Sequence, residues 1–176
     1  MLKSISIVFF MLLVVTIAHG EKSVILPQKS APLKITLYQA VYQNEFKAGS
    51  MSHPDQILHS VVYHNVSGKV VVAYQISLVA FDAFNNLMDK FNGWAIKTLP
   101  VDAHDGAEWI QSPYATFSFQ IYGTGVAYVN AARFEDGSIW RADLTEVVLE
   151  LQKFDTDLIR QSRHRNLVLR ALHSHG

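Results

Sequence analysis

The chain has 176 residues, no cysteine and a formal net charge of zero. A chain of this size can bury one hydrophobic core, and without cysteine that core must hold the fold with no disulfide. The missing thiol also excludes a lipid-modified cysteine as a membrane anchor.

Residues 1–20 have the pattern of a secretory signal peptide. Lys3 supplies a small positive charge, residues 5–18 are almost all apolar, and Ala18-His19-Gly20 offers small residues for cleavage before Glu21. The alternative is an uncleaved N-terminal anchor. We expect export to the periplasm or the extracellular space, with no transmembrane span in the mature chain.

The neutral total hides an uneven distribution of charge. Residues 21–159 carry 15 acidic and 10 basic side chains, whereas residues 160–176 contain four arginines, three histidines and no acid. A mildly acidic body gives no electrostatic basis for binding nucleic acid. The tail predicts either a frayed terminus or a segment that binds a metal or an anionic surface.

Short β-strands follow one another along the first half of the chain. Residues 21–32 contain two prolines and predict an extended lead-in. Leu33–Leu37 alternates as a strand that Tyr38–Tyr42 extends, and residues 44–55 read as a loop. Ile57–His64 alternates again.

The central stretch is Asn65–Phe84. Asn65–Lys69 has turn chemistry, and Val70–Phe81 reads as a strand buried on both faces, covered on both sides at its valine-rich start. We predict that this strand forms an antiparallel hairpin with Ile57–His64.

The second half predicts further strands and a closing helix. A two-residue turn of type I′ is expected at Asp136-Gly137, and Asp143 with Glu146 forms a capping box for a helix over Leu144–Ile159. The remaining predicted segments are a turn ended by Gly93 (Asn85–Gly93), strands at Trp94–Leu99, Ala115–Tyr122, Val126–Phe134 and Ser138–Ala142, and a polar loop at Pro100–Pro113.

These elements predict a mainly β fold, an immunoglobulin-like antiparallel β-sandwich of about seven strands with a C-terminal helix. The sandwich and helix occupy residues 33–159, and residues 160–176 form the basic tail. The predicted core consists of Val72, Ile76, Leu78, Phe81, Phe117, Phe119, Val129 and Trp140.

Two motifs resemble known bacterial domains. The turn Asn65-Val66-Ser67-Gly68-Lys69, a hydrophobic strand and then Phe81-Asp82 resemble the small secreted immunoglobulin-like sandwiches of the FxLYD type. Residues 133–140, RFEDGSIW, resemble secreted proteins of unknown function with an "RFxDGxxW" strand pair. The resemblance implies a sandwich fold and brings no catalytic residues.

The richest polar cluster is a possible metal site. Asp102, His104, Asp105 and Glu108 fall within one predicted loop, and carboxylates with an imidazole can hold a divalent ion. The alternative is a solvated loop. His59 and His64 are five residues apart, so on a strand they point to opposite faces.

Two further polar side chains read as structural. Asp82 is expected to accept backbone N–H groups of the following turn, and Asn65-Val66-Ser67 is a formal glycosylation acceptor.

Two functions remain open. The first is a non-catalytic secreted module without cofactor, which binds or scaffolds another envelope or secreted protein. The second is a small metal-dependent hydrolase that uses the 102–108 loop. The missing G-x-S-x-G, H-E-x-x-H and P-loop motifs favour the first.

Overall fold

The computed structural model describes residues 22–48, 51–113 and 119–154. The predicted signal peptide, Phe117 and the basic tail lie outside these residues. The elements are β1 (Lys22–Ile25), β2 (Leu33–Gln43), β3 (Phe46–Ala48), β4 (Met51–His53), β5 (Gln56–Asn65), β6 (Val71–Asp82), β7 (Leu87–Leu99), β8 (His104–Gln111), β9 (Tyr122–Phe134), β10 (Ile139–Arg141) and α1 (Leu144–Leu151).

Two sheets form a sandwich. The small sheet has the order β2-β5-β8, and the large sheet has the order β9-β6-β7, with β1 and β10 both paired to β9. β3 and β4 form a separate two-stranded ribbon, so residues 44–55, which were predicted to be a loop, contain two short paired strands. The chain crosses between sheets after β1, β5, β7 and β8, and such exchanges are typical of immunoglobulin-like sandwiches. The predicted fold class is confirmed.

The lead-in contributes a strand of its own. β1 pairs in parallel with β9, so the sandwich is not entirely antiparallel and residues 22–25 are more than an extended approach.

The predicted hairpin between the two central runs is wrong. β5 pairs with β2 and β8, whereas β6 pairs with β7 and β9. The Asn65–Lys69 turn therefore carries the chain from one sheet to the other. A turn signal marks where the chain reverses, but it does not determine whether the two strands share a sheet.

Three other local predictions are corrected. Asn85–Gly93 contains only a tight turn, after which β7 runs unbroken through Gly93, where the indole of Trp109 occupies the space that a Cβ would fill. Pro100–Pro113 contains β8, an edge strand that exposes His104 and Glu108 on its outward side. Phe119 and Ile121 lie in a turn before β9 rather than in a strand.

One core lies between the sheets and a second lies under the helix. Ile76 and Leu78 of β6 are buried between the sheets, whereas Val79 and Phe81 face outward and pack with Val147 of α1. Both faces of β6 are thus covered in its second half. The prediction that both faces are covered at its valine-rich start is wrong. Of the predicted core, Phe119 and Val129 are also buried, Trp140 is half-buried against both clusters, and Val72 is half-buried.

The helix begins as the sequence predicts. Asp143 accepts a hydrogen bond from the Thr145 backbone N–H at 2.8 Å, which caps α1. The predicted helix over Leu144–Ile159 is too long, because α1 ends at Leu151 and a turn follows to Phe154, whose ring packs against Phe81. Within the described residues no helix is long and apolar enough to cross a bilayer.

The last hairpin differs from the predicted type I′ geometry. Gly137 has φ of +85°, but Asp136 is not among the non-glycine residues with positive φ. The Gly137 N–H bonds to the Phe134 carbonyl and the Phe134 N–H bonds to the Ser138 carbonyl, so three residues form the loop. A three-residue loop needs positive φ only at its last position.

We expect Gly137→Val to reduce the free energy of unfolding by about 1–3 kcal/mol, because a β-branched residue is strained at positive φ. Gly68→Val is the matched control. Both glycines have open space at the Cβ position, but Gly68 lacks a positive φ. The control should change stability by less than about 0.5 kcal/mol in urea denaturation. Equal losses in the two variants would contradict this account of the turn.

Candidate functional site

The four predicted metal ligands do not converge. Because β8 is a strand, its side chains alternate, so His104 and Glu108 point to solvent while Asp105 turns inward. Asp102 lies in the preceding turn with φ of +59°. Among the described residues no group of three or more histidine or carboxylate side chains is placed to hold a metal ion.

The two carboxylates of β8 already have protein partners. Asp105 forms an ion pair with Lys97 at 2.6 Å and accepts a hydrogen bond from the Tyr63 hydroxyl at 3.2 Å. The hydrogen bond from Lys97 lowers the pKa of Asp105. Glu108 accepts a hydrogen bond from Ser60 at 3.3 Å. These contacts are structural and bridge neighbouring strands.

His104 has a neighbour that sequence spacing cannot reveal. It lies opposite His64 on β5, and the two rings stack with centroids 4.0 Å apart, while Asp102 lies 3.8 Å from His64. His64 points outward and His59 is fully buried, as their spacing predicts. The His64–His104 pair depends on strand register between segments forty residues apart.

His59 lies at the centre of a buried polar chain that joins the sheets. The Tyr38 hydroxyl is 3.1 Å from His59 Nδ1, and His59 Nε2 is 2.9 Å from the Gln111 side-chain oxygen. The Gln111 amide then donates to Asp89 of β7 at 2.7 Å. The His59 ring also stacks between Tyr38 and Phe91.

This series of hydrogen bonds requires the neutral form of His59. Since Gln111 offers an oxygen, Nε2 must carry the proton and Nδ1 must accept from Tyr38. Burial lowers the pKa of His59 to about 4, against the smaller opposing effect of the hydrogen bond to Gln111. With no exposed surface, His59 is a structural residue that holds β2, β5 and β8 against β7.

The Asn65 side chain makes its hydrogen bonds within the folded domain. Its side chain has no exposed surface, and its amide donates to the carbonyls of Lys69, Leu99 and Pro100. Its oxygen accepts from the backbone N–H and the hydroxyl of Ser67. The folded domain therefore offers no free amide at this formal glycosylation site.

Asp82 and Asp136 act as turn residues. Asp82 accepts backbone N–H groups from Phe84 and Asn86, as predicted, and these bonds outweigh burial to lower its pKa. Asp136 pairs with Lys69 at 2.7 Å, and this contact, followed by bonds from Ser138, lowers the pKa of Asp136.

A candidate binding surface lies on the outer face of the large sheet. Strand register places two rows of side chains across β7, β6, β9 and β10. The first row is Ile96, Ala73, Arg133 and Ile139, and the second is Trp94, Gln75, Ala131 and Arg141. All eight line a shallow depression of about 230 Å³, which we name the sheet groove.

The sheet groove combines exposed apolar side chains with unpaired cations. Ile96 is 82% exposed, Trp94 is 66% exposed and Ile139 is 55% exposed. Arg133 and Arg141 are exposed, and neither forms an ion pair with a carboxylate of the described residues. Clustered exposed apolar residues beside charged ones are typical of protein interaction sites.

No signal in the sequence identified the sheet groove. Trp94 begins a predicted strand, and in the structure it is exposed to solvent. Arg133 and Ile139 lie in the RFEDGSIW motif, which predicts a strand pair and no binding surface. The groove exists because register aligns four strands, and its two central strands are distant in sequence, since β6 ends at Asp82 and β9 begins at Tyr122.

Comparisons with known proteins yield distant structural neighbours. No protein-family model matches the chain, and no curated protein is significantly similar in sequence. An X-ray structure of a hypothetical protein from Peptoclostridium difficile 630 has a TM-score of 0.49 and 10% identity, covering 72% of this chain and 93% of that one. The X-ray structure of Northeast Structural Genomics Consortium target SoR45 has a TM-score of 0.41 and 11% identity, covering 63% and 80%.

We expect acid to destabilise the domain through His59. The imidazole has an unfolded pKa near 6.5 and a folded pKa of about 4, so the unfolded chain binds the proton first as the pH falls. The free energy of unfolding should therefore drop by about 3 kcal/mol between pH 6.5 and pH 4. Urea denaturation at a series of pH values measures this.

His59→Gln should flatten that pH dependence, whereas His104→Gln, which removes an exposed imidazole, should leave it intact. Asp82, Asp105 and Asp136, whose pKa values are lowered, lose their contribution mainly below pH 4, so His59 dominates the change between pH 6.5 and pH 4. A parent protein whose stability is constant from pH 6.5 to 4 would disprove the role given to His59.

Proposed function

We propose that this protein is a non-catalytic, exported binding module that captures a partner protein through the sheet groove. The exposed apolar face formed by Trp94, Ile96 and Ile139 carries the proposal, because the other half of the same sheet face is covered by α1. A solvent-facing tryptophan beside two isoleucines supplies the kind of aromatic and aliphatic anchors found at binding hot spots.

Charge selects the class of partner. Arg133 and Arg141 lie in the two rows of the groove, and no acidic residue lines it. A partner surface with apolar side chains flanked by carboxylates complements this arrangement. The chain's own residues 160–176 carry four arginines and no acid, so they are poorly matched to the groove.

The alternative hydrolase has weaker support. Asp105 and Glu108 are held in contacts with Lys97 and Ser60, and His104 points away from Asp105. A hydrolytic centre on β8 requires at least three side chains to converge on one ion and one water. The observed alternation along β8 gives no support to such an arrangement.

We expect site-specific photo-cross-linking to locate the partner. A photoreactive residue at position 96 should give a discrete adduct in the producing cell, and one at position 110 should not. Ile110 is the matched control, because it is 55% exposed on the outer face of the small sheet. Arg133→Glu with Arg141→Glu should abolish the adduct.

Affinity for the isolated partner provides the second measurement. Ile96→Lys should weaken binding at least about tenfold, as expected for a hot spot, whereas Ile110→Lys should leave it unchanged. Adducts of equal yield from both positions, or an adduct only with the chain's own C-terminal residues, would contradict the proposal.

We also expect export with removal of residues 1–20. Mass spectrometry of the protein recovered outside the cytoplasm should show Glu21 as the first residue. Leu13→Arg, which interrupts the apolar run, should keep the precursor inside the cell, because a signal peptide needs an apolar central region. Intact Met1 recovered in a membrane fraction would refute cleavage.

A further inference from the structure

A second concavity lies on the opposite side of the groove's strands, where the lead-in crosses from the large sheet to the small sheet. Leu26 donates its N–H to Ala127, and Gln28 forms a pair of side-chain bonds with the backbone of Val129 at 2.9 and 2.8 Å. Val66 donates its N–H to Pro32. These bonds fasten residues 25–32 to the sandwich and leave a cleft beneath them.

The cleft has the size and the floor of a small-molecule site. Its volume is about 450 Å³, within the usual range for ligand pockets. Its most deeply buried lining residues are Leu26, Leu33, Ile35 and Val129, each no more than 7% exposed. Such a floor suits an aliphatic chain. We call it the lead-in cleft.

Two cations stand at its mouth. Lys29 and Lys34 line the lead-in cleft, are exposed, and form no ion pair with a carboxylate of the described residues. The described lining includes no Asp or Glu. The side-chain amide of Gln28 is bonded to the backbone of Val129 and is uncharged, so the two ammonium groups are the charged groups of the described lining that are available to a ligand.

We propose that the lead-in cleft binds a small amphipathic carboxylate, with its aliphatic chain on the apolar floor and its carboxylate between Lys29 and Lys34. A neutral ligand would leave both cations unused, and a cationic one would be repelled. The arginine-rich residues 160–176 carry charge of the same sign as the two lysines and are poorly matched to the cleft. This site is independent of the sheet groove and of the partner proposed for it.

Titration with decanoate, decanol and decyltrimethylammonium, each below its micelle concentration, tests the proposal. Isothermal titration calorimetry gives the affinities, and amide chemical shifts of the isotope-labelled protein locate the ligand. We expect decanoate to bind most tightly and to shift the amides of residues 25–35, Val66 and Val129.

Lys29→Gln with Lys34→Gln should weaken decanoate roughly 2- to 30-fold, because each exposed ion pair contributes modestly. The same double variant should leave decanol unchanged. Lys22→Gln is the control, since Lys22 is exposed on β1 but does not line the cleft. Any one of four results would overturn the proposal. These are equal affinity for decanoate and decanol, no effect of the double variant on decanoate binding, chemical-shift changes confined to another surface, and no binding near 1 mM.

Discussion

The burial of β6 on both faces is the constraint on which the rest of the structure depends. Ile76 and Leu78 need cover from the small sheet, and Val79 and Phe81 need cover on the opposite face, which α1 provides. Burying apolar side chains on both sides stabilises a strand only when a further layer packs on each side. The result is three layers, sheet on sheet on helix. Because α1 is only eight residues long, the remaining outer face is left open as the sheet groove.

Polar groups inside the sandwich hold these layers in register. Asn65 binds the carbonyls of Leu99 and Pro100, so one side chain fastens the crossover after β5 to the crossover after β7. At another place, the series of side-chain hydrogen bonds that runs from Tyr38 through His59 to Asp89 joins the two sheets. A buried polar group is costly unless it is fully hydrogen-bonded, so these residues favour one arrangement of strands over others.

Separate surfaces of one rigid scaffold can therefore serve separate contacts. The sheet groove is built from side chains on regular strands, and the lead-in cleft is built under a segment that hydrogen bonds fasten to β9. Both carry cations that form no ion pair within the part of the chain that the structure describes, although residues 21–159 as a whole are acidic. Local charge, and not net charge, determines which ligand each surface attracts.

The sequence by itself determined the local elements whose signals are contained in short windows. Alternation identified β2 and β5, Asp143 marked the start of α1, and the turn roles of Asp82 and Gly137 followed from neighbouring residues. Of the eight residues predicted for the core, five are buried, namely Ile76, Leu78, Phe81, Phe119 and Val129.

Only the tertiary structure decided which strands share a sheet and which side chains meet. From sequence alone, β5 and β6 resemble the two strands of a hairpin, but each pairs with other strands. The sequence of β8 resembles a loop because it contains polar side chains, which an exposed edge strand can also carry. The stacking of His64 on His104, the exposure of Trp94 and the two rows of the sheet groove all depend on register between distant segments. Register is set by packing and pairing across the whole sandwich, and no short window of sequence contains that information.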